Sequence, residues 1–230
     1  MTATAPPIAL ATSPTTQSEL ADNQPLRMSY EEFLAWADED VHAEWVNGEV
    51  IVQMPTKEEH QRIVEFLALL LGLFVRIFRL GRILFAPFEM RAVEDGPSRE
   101  PDLLFISHEH RSLLTRERLA GPADLVVEVV SDDSVYRDRV DKFDEYEAAG
   151  VREYWIVDPR PGRQRADFWI LDHSGRYRAG QISEDGVYHS TALPGFWLRV
   201  EWLLAETLPD PLVTLAQIVG VEKIVSAIGQ

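Results

Sequence analysis

The chain has 230 residues, 46% of them hydrophobic and 26% charged, enough apolar side chain for a full globular core. Its 38 acidic and 22 basic residues give a net charge of −16, which argues against a protein that coats nucleic acid through broad positive charge. An enzyme handling phosphodiesters at one local site, where carboxylates hold a metal, stays open. The absence of cysteine rules out disulfides, cysteine–zinc sites, iron–sulfur clusters and a cysteine nucleophile.

Residues 1–27 carry Pro6, Pro7, Pro14 and Pro25 among Ala, Thr and Ser and read as a disordered tail. They lack the basic start and apolar block of a secretory signal. The longest apolar run, Phe66 to Val75, is too short to span a bilayer, so a cytoplasmic protein with no membrane partner is expected. Ser29 and Glu32 form a capping box for a helix from Tyr30 to about Asp38. Asn47-Gly48 supplies the positive φ angles of a tight turn between strands Glu44–Val46 and Glu49–Val52. Thr56 and Glu59 read as a second capping box, opening a long helix from Lys57 to about Leu80 that Gly81 stops.

Strands are expected at Arg82–Phe85, Phe88–Val93 and Leu103–Ile106, and a short helix at Arg111–Leu119. The apolar, β-branched run Asp124–Val130 reads as a central strand. Ser134 is placed to cap a helix over Val135–Ala149, ended by Gly150. Further strands are expected at Glu153–Val157, Ala166–Leu171, Tyr177–Gln181 and Val187–Thr191. The order predicts an α/β fold, a mixed central sheet flanked by helices, over residues 28–204, with a helical appendage at 205–230.

Three residues carry a case for chemistry. Glu128 stands among five aliphatic residues, and a buried ionised carboxylate is costly unless paired or metal-bound; alone, it fits a core salt bridge at least as well. Asp102, after Pro101, opens an apolar strand, a common turn position. Taken with Glu128 it offers the two oxygen donors that suit Mg²⁺. Lys142 is one of three lysines against nineteen arginines. Its compact charge suits developing negative charge on phosphate, although a helical salt bridge with Asp138 or Glu145 explains it as simply.

Pro101-Asp102, Glu128-Val129-Val130-Ser131, Asp138 to Tyr146 and Gly150 to Pro159 together closely resemble the Uma-two family of restriction endonucleases, within the PD-(D/E)XK nuclease superfamily. Glu44 to Glu49, His60 and Leu193-Pro194-Gly195-Phe196 fit its outer segments, so the resemblance covers about residues 28–204. It implies a restriction-endonuclease-like core, with Asp102 and Glu128 binding Mg²⁺ or Mn²⁺, DNA as substrate and a homodimer as the assembly. In the superfamily pattern the lysine stands two residues after the second acid; here Val130 holds that place, and Lys142 on the following helix is the migrated substitute. Glu44 would be a further acid at the metal, or else a surface acid beside its turn. His60 is expected to be a partly exposed residue of a first helical turn, Tyr146 a core residue, Asp158 a turn residue and Ser131 a cap; Glu153, a candidate strand-edge acid, is not assigned to the site.

Three readings compete. The first is a divalent-metal-dependent DNA endonuclease. The second is a catalytically silent member of the fold acting as an interaction or scaffold module. The third, a glycoside hydrolase with paired carboxylates, lacks a recognisable sugar-binding arrangement. Residues 1–27 carry −1 and 205–230 carry −2, which leaves −13 in the nuclease-like segment. DNA would then be held through local Arg clusters, either Arg76, Arg79 and Arg82 or Arg160, Arg163 and Arg165.

Overall fold

The computed structural model describes residues 25–37 and 41–229. Most of the expected tail, residues 1–24, and Asp38 at the end of the first expected helix lie outside them. Strand β1 (Leu26–Arg27), from the segment read as tail, instead pairs with the first hairpin. Helix α1 (Tyr30–Trp36) begins on its capping box: Ser29 Oγ accepts from the Glu32 amide at 3.2 Å, and Glu32 Oε2 accepts from the Ser29 amide at 2.8 Å. β2 (Ala43–Val46) and β3 (Glu49–Val52) form the hairpin, with Asn47 at φ 50° and Gly48 at φ 91°.

The long helix α2 (Glu58–Phe78) does not use its expected caps. It starts after Lys57, so Thr56 and Glu59 fall out of the cap-and-third-residue register, and Thr56 Oγ1 accepts from Gln61 instead. At its other end Arg79, at φ 52°, makes the left-handed turn. Gly81 opens β4 (Gly81–Phe85), where a Cβ would lie 2.0 Å from the Ile106 carbonyl oxygen. That glycine serves a close strand approach, not a helix stop.

Next come β5 (Glu89–Met90), shorter than expected, and β6 (Leu103–Ser107). The helix expected over Arg111–Leu119 is only a 3-10 turn at Arg111–Leu113 followed by β7 (Arg118–Leu119), which pairs with β5. Thr115 Oγ1 takes the amides of Glu117 and Arg118, a local turn that competes with helix. β8 (Leu125–Val129) leads through a π-helical turn at Arg137–Asp141 into α3 (Lys142–Ala149), closed by Gly150 at φ 87°. β9 (Glu153–Asp158), β10 (Arg165–Leu171) and β11 (Tyr177–Ala179) follow. β12 (Val187–His189) pairs with β13 (Trp197–Arg199), a strand with no expectation from sequence. The chain then runs through α4 (Val200–Leu204), α5 (Pro211–Val219) and α6 (Val221–Ile228).

The central six-stranded sheet has the order β11-β10-β9-β8-β6-β4 and is parallel only between β8 and β9. The mixed α/β sheet flanked by helices is therefore the fold. Strand alternation divides the core. Phe66, Leu70 and Phe74 of α2 cover the face with Leu103, Val127 and Trp155, and fully buried Leu215 brings α5 into the same core. Leu104, Val126 and Ile156 face Tyr146 of α3. Among the described residues no single helix is long and apolar enough to cross a membrane; α5 and α6 are apolar together but meet at 106°.

Candidate active site

Antiparallel register sets the site. Leu103 of β6 lies opposite Val127 of β8, so one step further the chain brings Asp102 beside Glu128. The Val129 amide donates to Asp102 Oδ2 at 2.7 Å and holds that carboxylate at the strand end. Period two turns Glu128 onto the face of Val126 and Val130, the face that α3 covers. Val130, at the superfamily's usual lysine position, is buried and its amide bonds to Val157.

Lys142 enters from the first position of α3, and its Nζ lies 2.8 Å from Glu128 Oε1, 3.1 Å from Glu44 Oε1 and 3.6 Å from Asp138 Oδ1. The Tyr146 phenol donates to the same Glu128 oxygen at 3.0 Å, so this buried core residue also touches the site. One turn of helix separates Lys142 from Tyr146, which is why both reach one carboxylate. Burial alone would strip Lys142 of its proton, but Glu128, Glu44 and Asp138 overcome it and hold the ammonium well above its ordinary range. Burial pushes Glu128 up, opposed by Lys142 and reinforced by Asp138, Asp102 and Glu44.

Glu44 is completely buried, neither a surface acid nor part of the cavity wall. One of its oxygens accepts from the Glu100 amide at 3.2 Å and faces Lys142; the other accepts from Arg99 at 2.9 Å. Burial raises it, but Lys142, Arg99 and Arg137 together bring it down to about 2. Arg99, carrying no signal in the sequence, bridges Glu44 to Glu145.

His60 departs from its expected exposure. It is 6% exposed, its Nε2 lies 3.2 Å from Asp102 Oδ2, and its Nδ1 is buried without a hydrogen-bond partner. Glu100 and Asp138, both absent from the expected set, also line the cavity. Burial, then Glu44 and Glu89, raise Glu100 to about 7 despite Lys142. Burial also raises Asp138, and Ser134 donates its hydroxyl to that carboxylate. Ser134 Oγ accepts from the Ser131 amide at 2.9 Å, so the two serines brace the loop after β8. Helical register already pairs Asp138 with Lys142 in the sequence, and the structure keeps that contact at 3.6 Å; nothing local distinguishes Glu100.

Two other acids serve the fold. Asp158, the buried last residue of β9, accepts from the amide and guanidinium of Arg160, so it holds the turn that follows the strand. Glu153 is fully buried away from the cavity and accepts from Trp155, Tyr188, Ser190, Thr191 and Ala192.

Asp102, Glu128 and Lys142 thus meet at one cavity of about 280 Å³, walled by the N-terminus of α2, the loop after β8 and the start of the β9–β10 loop. Fold and site together define a mixed α/β domain with a carboxylate-lined cavity at the ends of its central strands. The chain is similar, with a TM-score of 0.61 and 16% identity over 75% of its length and 95% of the other chain, to the crystal structure of a "putative nuclease belonging to DUF820" from Anabaena variabilis. The chain belongs to the Uma2 family, described as "Putative restriction endonuclease", which matches residues 30–201. No curated protein matches it.

Proposed function

We propose that this chain is a divalent-metal-dependent endonuclease that hydrolyses DNA phosphodiester bonds in the cytoplasm. The observation that carries the reading is the meeting of Asp102, Glu128 and the Lys142 ammonium at one open cavity. The residues fit a hard divalent cation. Their donors are carboxylate oxygens, and the surplus negative charge around Glu128 is what a cation would relieve. Among the described residues no three His, Asp or Glu side chains make a ready cage. That accords with Mg²⁺ or Mn²⁺, which takes one or two carboxylates and completes its shell with water and phosphate oxygen.

Asp102 and Glu128 would hold the ion, which when bound supplies an acidified water and neutralises phosphate charge. The chain's own groups do the rest. Lys142 offers its ammonium to negative charge developing on the phosphate. Glu44, through Lys142, and Tyr146, through Glu128, are positioning residues. His60 restrains Asp102, and the Val129 amide holds the same oxygen.

The test is cleavage of duplex DNA with Mg²⁺ or Mn²⁺ by wild type, Asp102→Ala and Glu128→Ala. Cleavage is expected from wild type alone; cleavage that survives both substitutions contradicts the proposal. A second reading, a catalytically silent interaction module, is favoured by one observation: Lys142 already pairs with Glu128 at 2.8 Å. Calorimetry showing no divalent binding that depends on Asp102 and Glu128 supports that alternative.

A further inference from the structure

Beside the catalytic cavity lies a second depression of about 480 Å³, built on the loop between β9 and β10 and lined by Arg139, Arg160, Arg163 and Arg165. Arg160 borders both cavities, so the two lie side by side. The loop is compact. The Arg163 amide bonds to the Arg160 carbonyl at 2.9 Å, Gly162 takes φ 73°, and the Gly162 amide donates to the side chain of Gln164 at 3.0 Å.

The four arginines are not equivalent. Arg139 and Arg160 are mostly buried and share Asp158, at 3.5 and 2.9 Å, so they shape the wall. Arg165 is more than half exposed and shares Asp167 with Arg139. Arg163 is exposed, and no acidic side chain among the described residues pairs with it. Arg160 also reaches Asp132 at 4.0 Å, so three carboxylates offset four guanidinium groups, which still leaves a local positive excess in a chain of net charge −16. A planar guanidinium fork suits phosphate oxygens. The other arginine cluster, around Arg76 and Arg82, stands at the far end of α2, about 24 Å along the helix from His60 at 1.5 Å per residue.

We infer that this depression is a phosphate-binding subsite for the DNA backbone next to the scissile bond, with Arg163 and Arg165 as its outward contacts. The inference rests on the endonuclease reading and names how that site grips its substrate. An acidic protein would otherwise repel the polyanion, so the register of the strand in the cavity is set at this loop.

The experiment compares wild type with Arg163→Ser/Arg165→Ser, with Arg163→Glu, and with the remote control Arg76→Ser/Arg82→Ser. Binding of a labelled DNA duplex is followed by fluorescence anisotropy in Ca²⁺ across a salt series. Turnover of bis(p-nitrophenyl) phosphate in Mg²⁺, a diester too small to reach the loop, is measured in parallel, and circular dichroism checks folding. The expected result is duplex affinity weakened on the order of tenfold, with the slope of log affinity against log salt reduced by about 1 for each lost contact. Small-diester turnover stays at the wild-type level, Arg163→Glu binds more weakly still, and the remote control is unchanged. Unaltered duplex affinity and salt slope overturn the subsite. So does an equal loss of small-diester turnover. If wild type hydrolyses neither substrate, the endonuclease reading fails, while the anisotropy still decides whether this loop binds backbone.

Discussion

At the scale of single residues, the site is an ion cluster in which Lys142 answers three acids. Removing its charge leaves Glu128 with the Tyr146 phenol but no cation and takes a cation from Glu44 and Asp138, and breaking a buried pair from one side typically costs about 3–5 kcal/mol. Lys142→Met should therefore lose both DNA cleavage and stability, read by nuclease assay and urea unfolding. Unchanged unfolding would deny the cluster its role. Two acids of the cluster should respond to pH with opposite sign. Glu44 falls from 4.5 to about 2 on folding, so its contribution is complete above pH 4.5 and disappears as pH drops toward 2. Glu100 rises from 4.5 to about 7, so its ionisation weakens the fold as pH climbs through that interval. Glu44→Gln should then destabilise at pH 7 and cost progressively less below 4.5. Glu100→Gln should stabilise at pH 8 and be neutral at 4.5. Urea midpoints across pH 2.5–8 check both; parallel curves for the two variants contradict the assignment.

At the scale of elements, the π-helical turn at Arg137–Asp141 decides where α3 delivers its first residue. The Lys142 amide bonds five residues back to Arg137, and the Tyr154 phenol pins the Asp138 carbonyl at 2.8 Å. Deleting Val140, which is 37% exposed, should convert the turn to α-helix. The segment before it would turn by about 100° relative to Lys142, separating Asp138 from it. Cleavage should vanish while the circular dichroism spectrum stays native; retained cleavage would show that the extra residue is irrelevant to the site. Glu153 makes the complementary case, a charge that organises structure far from the cavity. Glu153→Ala takes the acceptor from six donors, three of them buried, and should cost more than about 4 kcal/mol in urea unfolding. Activity per folded molecule should be unaffected; an equal loss of specific activity would place Glu153 in the site after all.

These elements also mark what the sequence discloses. The hairpin at Asn47-Gly48, the capping box at Ser29 and the central strand around Glu128 are written in local chemistry, and the structure keeps them. The second capping box fails because helix α2 starts one residue late, and the Thr56 hydroxyl takes the Gln61 side chain instead. Gly81 looks like a helix stop but answers the backbone of β6, a partner 25 residues away. In the site, Asp102 and Glu128 are legible because strand register joins them. Glu44 is reached only through the family resemblance, and Arg99 and Glu100 carry no signal, since the contact between the β2–β3 hairpin and the loop before β6 has no local signature.

At the scale of the whole molecule, an acidic chain is fitted to a polyanionic substrate by separating its charges. Carboxylates gather at the cavity of Asp102 and Glu128, where a cation would answer them, and arginines gather on the adjoining loop. The apolar face of α2 is covered by the chain's own sheet and by α5, so a dimer for cutting both strands must use another surface. Light scattering should give twice 26.1 kDa; a mass equal to one chain contradicts the dimer. The central claim is that Asp102 and Glu128 present one cation to a phosphodiester beside Lys142. A crystal soaked in Mn²⁺ and measured by anomalous scattering tests it most directly. The predicted result is a single Mn²⁺ peak bound by both carboxylates, with Lys142 facing the same space. A cavity without Mn²⁺, or a peak held by neither carboxylate, would contradict it.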